Sequence, residues 1–153
     1  KAEIGCGFTK QEDERMAVIE ELLRGEANGA ISFGNHTLAS KAKVEDFQHA
    51  GDLMKVKTYR EITKLEKNGM FLYESVPGTS VLNFQQKADG VEFIVEGSED
   101  AQITVGLTDD TEYEVFVNGE GIGTMKTGLG GKLSLSVELQ AAGEVPVKIV
   151  RVS

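Results

Sequence analysis

Hydrophobic and polar residues alternate along most of this chain with the period of two that marks a strand buried on one face. Ala101, Ile103, Val105 and Leu107 alternate with Gln102, Thr104 and Gly106. Tyr113, Val115 and Val117 repeat the pattern, as do Leu133, Leu135, Val137 and Leu139 against Ser134, Ser136 and Glu138. Val145, Val147 and Ile149 close the series, and Pro146 among them predicts an edge strand that needs no ladder donor there. Ala30–Phe33, Leu53–Tyr59, Thr79–Gln85 and Val91–Val95 also read as strands, and Val76-Pro77-Gly78 ends another. Between them stand turn residues. Asn68-Gly69 and Asn118-Gly119 each accept the two positive φ angles of a type I′ hairpin turn, and Asp89-Gly90 marks a further reversal.

The first third of the chain follows other rules. Met16, Ile19, Leu22 and Leu23 recur at helical spacing, which predicts a helix over residues 9–24. Thr9 and Glu12 form a capping box, Glu12, Asp13 and Glu14 complement the dipole of the first turn, and Gly25 offers a stop. Ala2–Phe8 reads as a short strand before it. Leu38–Ala50 reads either as a helix through Ala42, Val44 and Phe47 or as an irregular segment crossing the surface.

Strands at intervals of about 8–12 residues, with no helix between them after residue 67, exclude a parallel α/β fold. The expected fold is mainly β: an antiparallel β-sandwich, immunoglobulin-like or jelly-roll-like, with one N-terminal amphipathic α-helix. A helix-containing segment, 1–60, then packs on or beside a sandwich of 61–153, or the whole chain forms one domain. A length of 153 residues suits one ordinary domain.

Charge narrows the classes of partner. Sixteen basic against 25 acidic residues leave a net charge of -9, which repels nucleic acid and anionic membrane surfaces. The distribution is uneven. Residues 40–67 hold seven bases and five acids, whereas residues 88–120 hold ten acids and no base. Lys55, Lys57 and Lys64 on one side and Asp109 and Asp110 on the other are therefore candidate contact residues, for a protein partner or for a second copy. No apolar run approaches the roughly 18 residues of a membrane helix. A single cysteine and the lack of a signal-like segment point to the cytoplasm. Lys1 in place of a starting methionine leaves secretion open if a leader has been removed.

Leu107-Thr108-Asp109-Asp110-Thr111-Glu112-Tyr113 resembles the L-x-P-x-T-x-Y run of fibronectin type III-like and immunoglobulin-like domains, with Asp109 in the place of proline. In those domains the tyrosine hydroxyl bonds back to the backbone at a corner of the sandwich. Tyr113 to Leu139 is also similar to the β-sandwich accessory modules attached to bacterial carbohydrate-active enzymes. The resemblance covers residues 79–152, and it implies a fold together with a binding or spacer role.

Candidate chemistry is sparse. Cys6 with His36 or His49 has the residue types of a nucleophile and its base, with Glu45 and Asp46 nearby in sequence, but the spacing fits no local signature. Glu99-Asp100 and Asp109-Asp110-Glu112 offer carboxylates to calcium without the spaced D-x-D-x-D-G pattern. The glycine-rich stretch 119–131 carries Lys126 where a phosphate loop or a dinucleotide motif needs glycine, so it reads as hairpin turns. Asn35-His36-Thr37 matches a glycosylation sequon. Carbohydrate binding favours exposed aromatic rings, and tryptophan is absent, but Phe116 falls on the face opposite Tyr113, Val115 and Val117 and is a candidate contact residue. The balance predicts a non-catalytic interaction module acting through protein contact or self-association, with no metal or cofactor. The alternatives are a carbohydrate-binding module and, behind it, a small Cys/His enzyme.

Overall fold

In a computed structural model, residues 19–152 are described, and they form two antiparallel sheets. The strands are β1 (Leu23–Gly25), β2 (Ile31–Phe33), β3 (Ala42–His49), β4 (Asp52–Tyr59), β5 (Ile62–Lys67), β6 (Met70–Val76) and β7 (Ser80–Lys87). They continue with β8 (Gly90–Glu96), β9 (Ala101–Gly106), β10 (Glu112–Val117), β11 (Glu120–Lys126), β12 (Lys132–Val137) and β13 (Val145–Arg151). One sheet has six strands in the order β12-β9-β6-β5-β4-β3, the other seven in the order β11-β10-β13-β8-β7-β2-β1. The buried faces of the two share one core. Phe33, Phe84 and Phe93 of the seven-stranded sheet meet Tyr73 of the six-stranded sheet, with edge-on ring pairs at 5.2 to 6.0 Å around a stacked Phe84–Phe93 pair.

Strand patterning after residue 62 holds closely. Asn68 and Gly69 have φ of 53° and 80°, and Asn118 and Gly119 have 55° and 81°, both positive in each hairpin as a type I′ turn requires. Pro146 is a correction. It lies on β13, which is interior, between β10 and β8. A proline is tolerated there because β10 has already turned away at Asn118, whose N–H donates to the Pro146 carbonyl at 2.8 Å. The stretch 119–131 is also only partly turn, since Gly121 and Gly123 sit within edge strand β11.

The N-terminal third departs most from expectation. Residues 1–18 of the expected helix and strand lie outside the described residues. The described end of that helix, 19–24, is a turn followed by β1, and no helix occurs among the described residues. Leu22 takes a φ of 72°, which no right-handed helix accommodates. Ile19 N–H bonds to Gly34 carbonyl and Leu23 pairs with Phe33, so tertiary pairing overrides the apolar period. Ile19 and Leu23 are buried all the same. The helical reading of Ala42, Val44 and Phe47 has a similar origin. Those residues lie on β3, where a bulge between Val44 and Phe47 contains Asp46 at φ 57° and adds one residue to the alternation. The extra residue turns a period of two into a spacing that mimics a helix face. No helix long and apolar enough to cross a membrane occurs among the described residues.

Candidate functional site

The register of the six-stranded sheet builds a basic face. Lys43 of β3 stands opposite Lys57 of β4, and Lys57 stands opposite Lys64 of β5. Three ammonium groups thus share one cross-strand row, an arrangement that costs stability because like charges face each other directly. Lys55 projects beside them, opposite Glu66. Partial compensation comes from Glu45, 3.2 Å from Lys43, from Glu66, 3.7 Å from Lys64, and from Glu74 opposite Lys64. Among the described residues Lys55 and Lys57 make no ion pair. The candidates Lys55, Lys57 and Lys64, chosen on charge, are therefore neighbours on one surface.

The acidic candidates lie elsewhere. Asp109 and Asp110 occupy the turn between β9 and β10, and Asp110 is 3.2 Å from Lys126 at the exposed edge. Glu112 and Glu114 point outward from β10 and lead along that face to Phe116, while Tyr113 and Val115 point into the core. No ion pair joins this stripe to the lysine row within one molecule, because the two lie on different sheets. Tyr113 anchors the corner: its hydroxyl accepts a hydrogen bond from Thr108 N–H at 3.2 Å.

Phe116 opens a third feature, a groove of about 640 Å³ on the outer face of the seven-stranded sheet. One cross-strand row runs through it: Gly121, Phe116, Lys148, Glu92 and Gln85, from β11 to β7. Glu92 forms ion pairs with Lys87 at 3.1 Å and Lys148 at 3.7 Å. Pro146 and Ile94 form the adjacent row. A bulge in β7 brings Asn83, at φ 55°, to the same outer face, held by a bond from its N–H to Ser32 Oγ at 3.0 Å. Sequence reasoning found Phe116 but missed Asn83, Gln85, Glu92 and Lys148. Their signal was only polar alternation, which every solvated strand carries.

The catalytic candidates do not converge. Cys6 lies outside the described residues. His36 and His49 sit at opposite ends of β4: His49 is paired with Asp52, and the His36 loop is held by Asn35 N–H donating to Thr58 Oγ. His36 Nδ1 is 2.7 Å from Ser80 Oγ, which has the composition of a dyad. Ser80 is fully buried, however, and His36 is only 9% exposed. Burial holds the His36 imidazole below its ordinary pKa, in the neutral form that suits a structural bond. It belongs to a polar layer at this end of the core. There Thr63 Oγ donates to the Thr79 carbonyl, and Tyr73 and Ser75 hydroxyls share Thr79 Oγ at 2.8 and 2.7 Å. Burial pushes the Tyr73 hydroxyl far above the ordinary tyrosine range. His49 Nε2 donates to Gly29 carbonyl at 3.0 Å, and Asp46 is the bulge residue of β3.

Asp100 and Asn35 have structural partners. Asp100 Oδ1 accepts from the backbone N–H groups of Leu139 and Gln140 at 3.0 and 3.1 Å, bracing a loop. Among the described residues no three His, Cys, Asp or Glu side chains assemble as a metal site. Asn35 of the sequon is 8% exposed, and its Oδ1 accepts from Thr37 N–H and hydroxyl, so its side chain is folded inward rather than displayed. In comparisons with known proteins, no family model, no curated protein and no solved structure matches the chain.

Proposed function

We propose that this chain is a non-catalytic β-sandwich interaction module of the immunoglobulin-like kind, working by contact between copies of itself. The observation that carries the reading is the row Lys43, Lys57 and Lys64 set side by side on a molecule of net charge -9. A fold gains nothing from such a row, whereas a carboxylate-rich surface docked on it relieves the repulsion. The stripe of Asp109, Asp110, Glu112 and Glu114 on the other sheet supplies that surface in a second copy. The Tyr113 hydroxyl bond to Thr108 N–H supports the immunoglobulin-like assignment, since a corner tyrosine bonded to backbone a few residues upstream recurs in that architecture. The burial of the His36–Ser80 pair supports the non-catalytic part.

Two different surfaces meet in such a contact, so it is heterologous and extends into rings or open chains rather than closing as a two-fold dimer. Light scattering behind size exclusion tests it at low salt and at about 0.5 M salt, where charges are screened beyond roughly 4 Å. The expected result is an oligomer that dissociates with salt and is absent in the K55E/K57E/K64E variant. A monomer under both conditions, or an oligomer that the triple reversal leaves intact, overturns the reading.

A further inference from the structure

We propose that the groove over Phe116 binds a neutral oligosaccharide. This inference is separable from self-association, because the groove residues are distinct from the acidic stripe that would meet the lysine row, although both lie on the outer face of the seven-stranded sheet. Four observations on that face converge. The β11 strand carries glycine at 121 and 123, and a side chain at 121 would meet the Phe116 ring 3.6 Å away, so the glycine keeps that flank of the ring low and open. Pro146 and Ile94 continue an apolar floor beside the half-buried ring. Around this floor stand groups that both donate and accept: the amides of Asn83 and Gln85, and Glu92 bridged to Lys148. The bulge in β7 adds Asn83 to the outer face, a device common beside binding sites.

The chemistry selects the ligand class. Glu92 is the one acid among the lining residues and Lys148 the one base, with Lys87 beside Glu92 at 3.1 Å, so the formal charges at the groove are held in one ion-pair cluster although the chain carries -9. A charged ligand would have to compete with that cluster. An uncharged molecule with one apolar face and a rim of hydroxyls gains on both counts: its C–H face covers Phe116 and Pro146, and its hydroxyls pair with amides and with the ion pair. A sugar ring has that form. From Phe116 to Gln85 the row crosses three strand spacings, roughly 14 Å, which suits a short chain of sugars better than one ring.

The test is a titration of the ¹⁵N-labelled chain with neutral gluco-, xylo-, manno- and galacto-oligosaccharides, read by amide shifts at about 0.5 M salt, where charge pairing between copies is screened. At least one should shift the backbone amides of Phe116, Lys148, Glu92 and Gln85 saturably. F116A should weaken it roughly tenfold or more, and Q85A should weaken it without altering the melting temperature. The triple lysine reversal should leave it unchanged, so a failure here and a failure of self-association are read separately. Three outcomes overturn the proposal: no shifts from any neutral sugar at millimolar concentration, shifts confined to the lysine face, or binding only by uronic or sulfated chains.

Discussion

Charge reversal at Lys57 should make the isolated molecule more stable while weakening its association with other copies. Lys57 faces Lys43 on one side and Lys64 on the other, so K57E converts two like-charge pairs into two opposite-charge pairs. Directly opposed cross-strand pairs contribute about 0.2–1 kcal/mol each. Two reversals, discounted because these side chains are partly exposed, give about 1 kcal/mol of added stability. For a domain of this size that raises the melting temperature by about 2–4 °C. K55E provides the internal control. Lys55 faces Glu66, so the same chemical change there creates a Glu–Glu pair and lowers stability by about 0.5 kcal/mol. Both variants exchange lysine for glutamate on the outer face of β4, so differences in strand propensity cancel in the comparison. The assay is urea unfolding at low salt and at about 0.5 M salt, at protein concentrations dilute enough to avoid association. The gap between the variants should shrink with salt. A K57E protein no more stable than the parent, or both variants shifting in one direction, refutes the argument that the row stores repulsion.

Two more expectations follow from the buried polar groups. His36 is held below its ordinary pKa by burial, so the folded state takes up its proton less readily than the unfolded chain does. Stability from this residue is present above the ordinary value of 6.5 and is lost as pH falls through it, so denaturation midpoints should decline on acidification. H36N should flatten that slope, and an unchanged slope refutes the assignment. Y113F removes the acceptor of the Thr108 N–H bond and should cost about 1 kcal/mol, seen as a loss of about 2–4 °C in melting temperature, with the fold retained by circular dichroism. A loss indistinguishable from zero shows that water replaces the hydroxyl and that the corner is not an anchor.

The sequence by itself determined the strands from residue 62 onward except edge strand β11, because a buried face writes a period of two and Asn-Gly turns write their own φ angles. Phe116 was legible for the same reason, since alternation places each side chain on a face, whereas the lysines were legible as a basic group from charge alone. What sequence left open is register. That Lys57 meets Lys64 rather than Glu66 depends on a hairpin aligned to the residue, and a slip of two residues would have set Lys57 against Glu66 and exchanged repulsion for attraction. Bulges are the second limit. One at Asp46 disguised β3 as a helix face, and one at Asn83 added a groove residue that no alternation rule places there. At the N-terminal end, Ile19, Leu22 and Leu23 carry a helical period, yet pairing with Gly34 and Phe33 draws residues 19–24 into a turn and β1. Pro146 shows the same limit, since an interior strand tolerates it only where the neighbouring chain has turned away. Local pattern reports which face a residue prefers. Only the assembled sheets decide which residues share that face, and the charge row and the groove are both products of that decision.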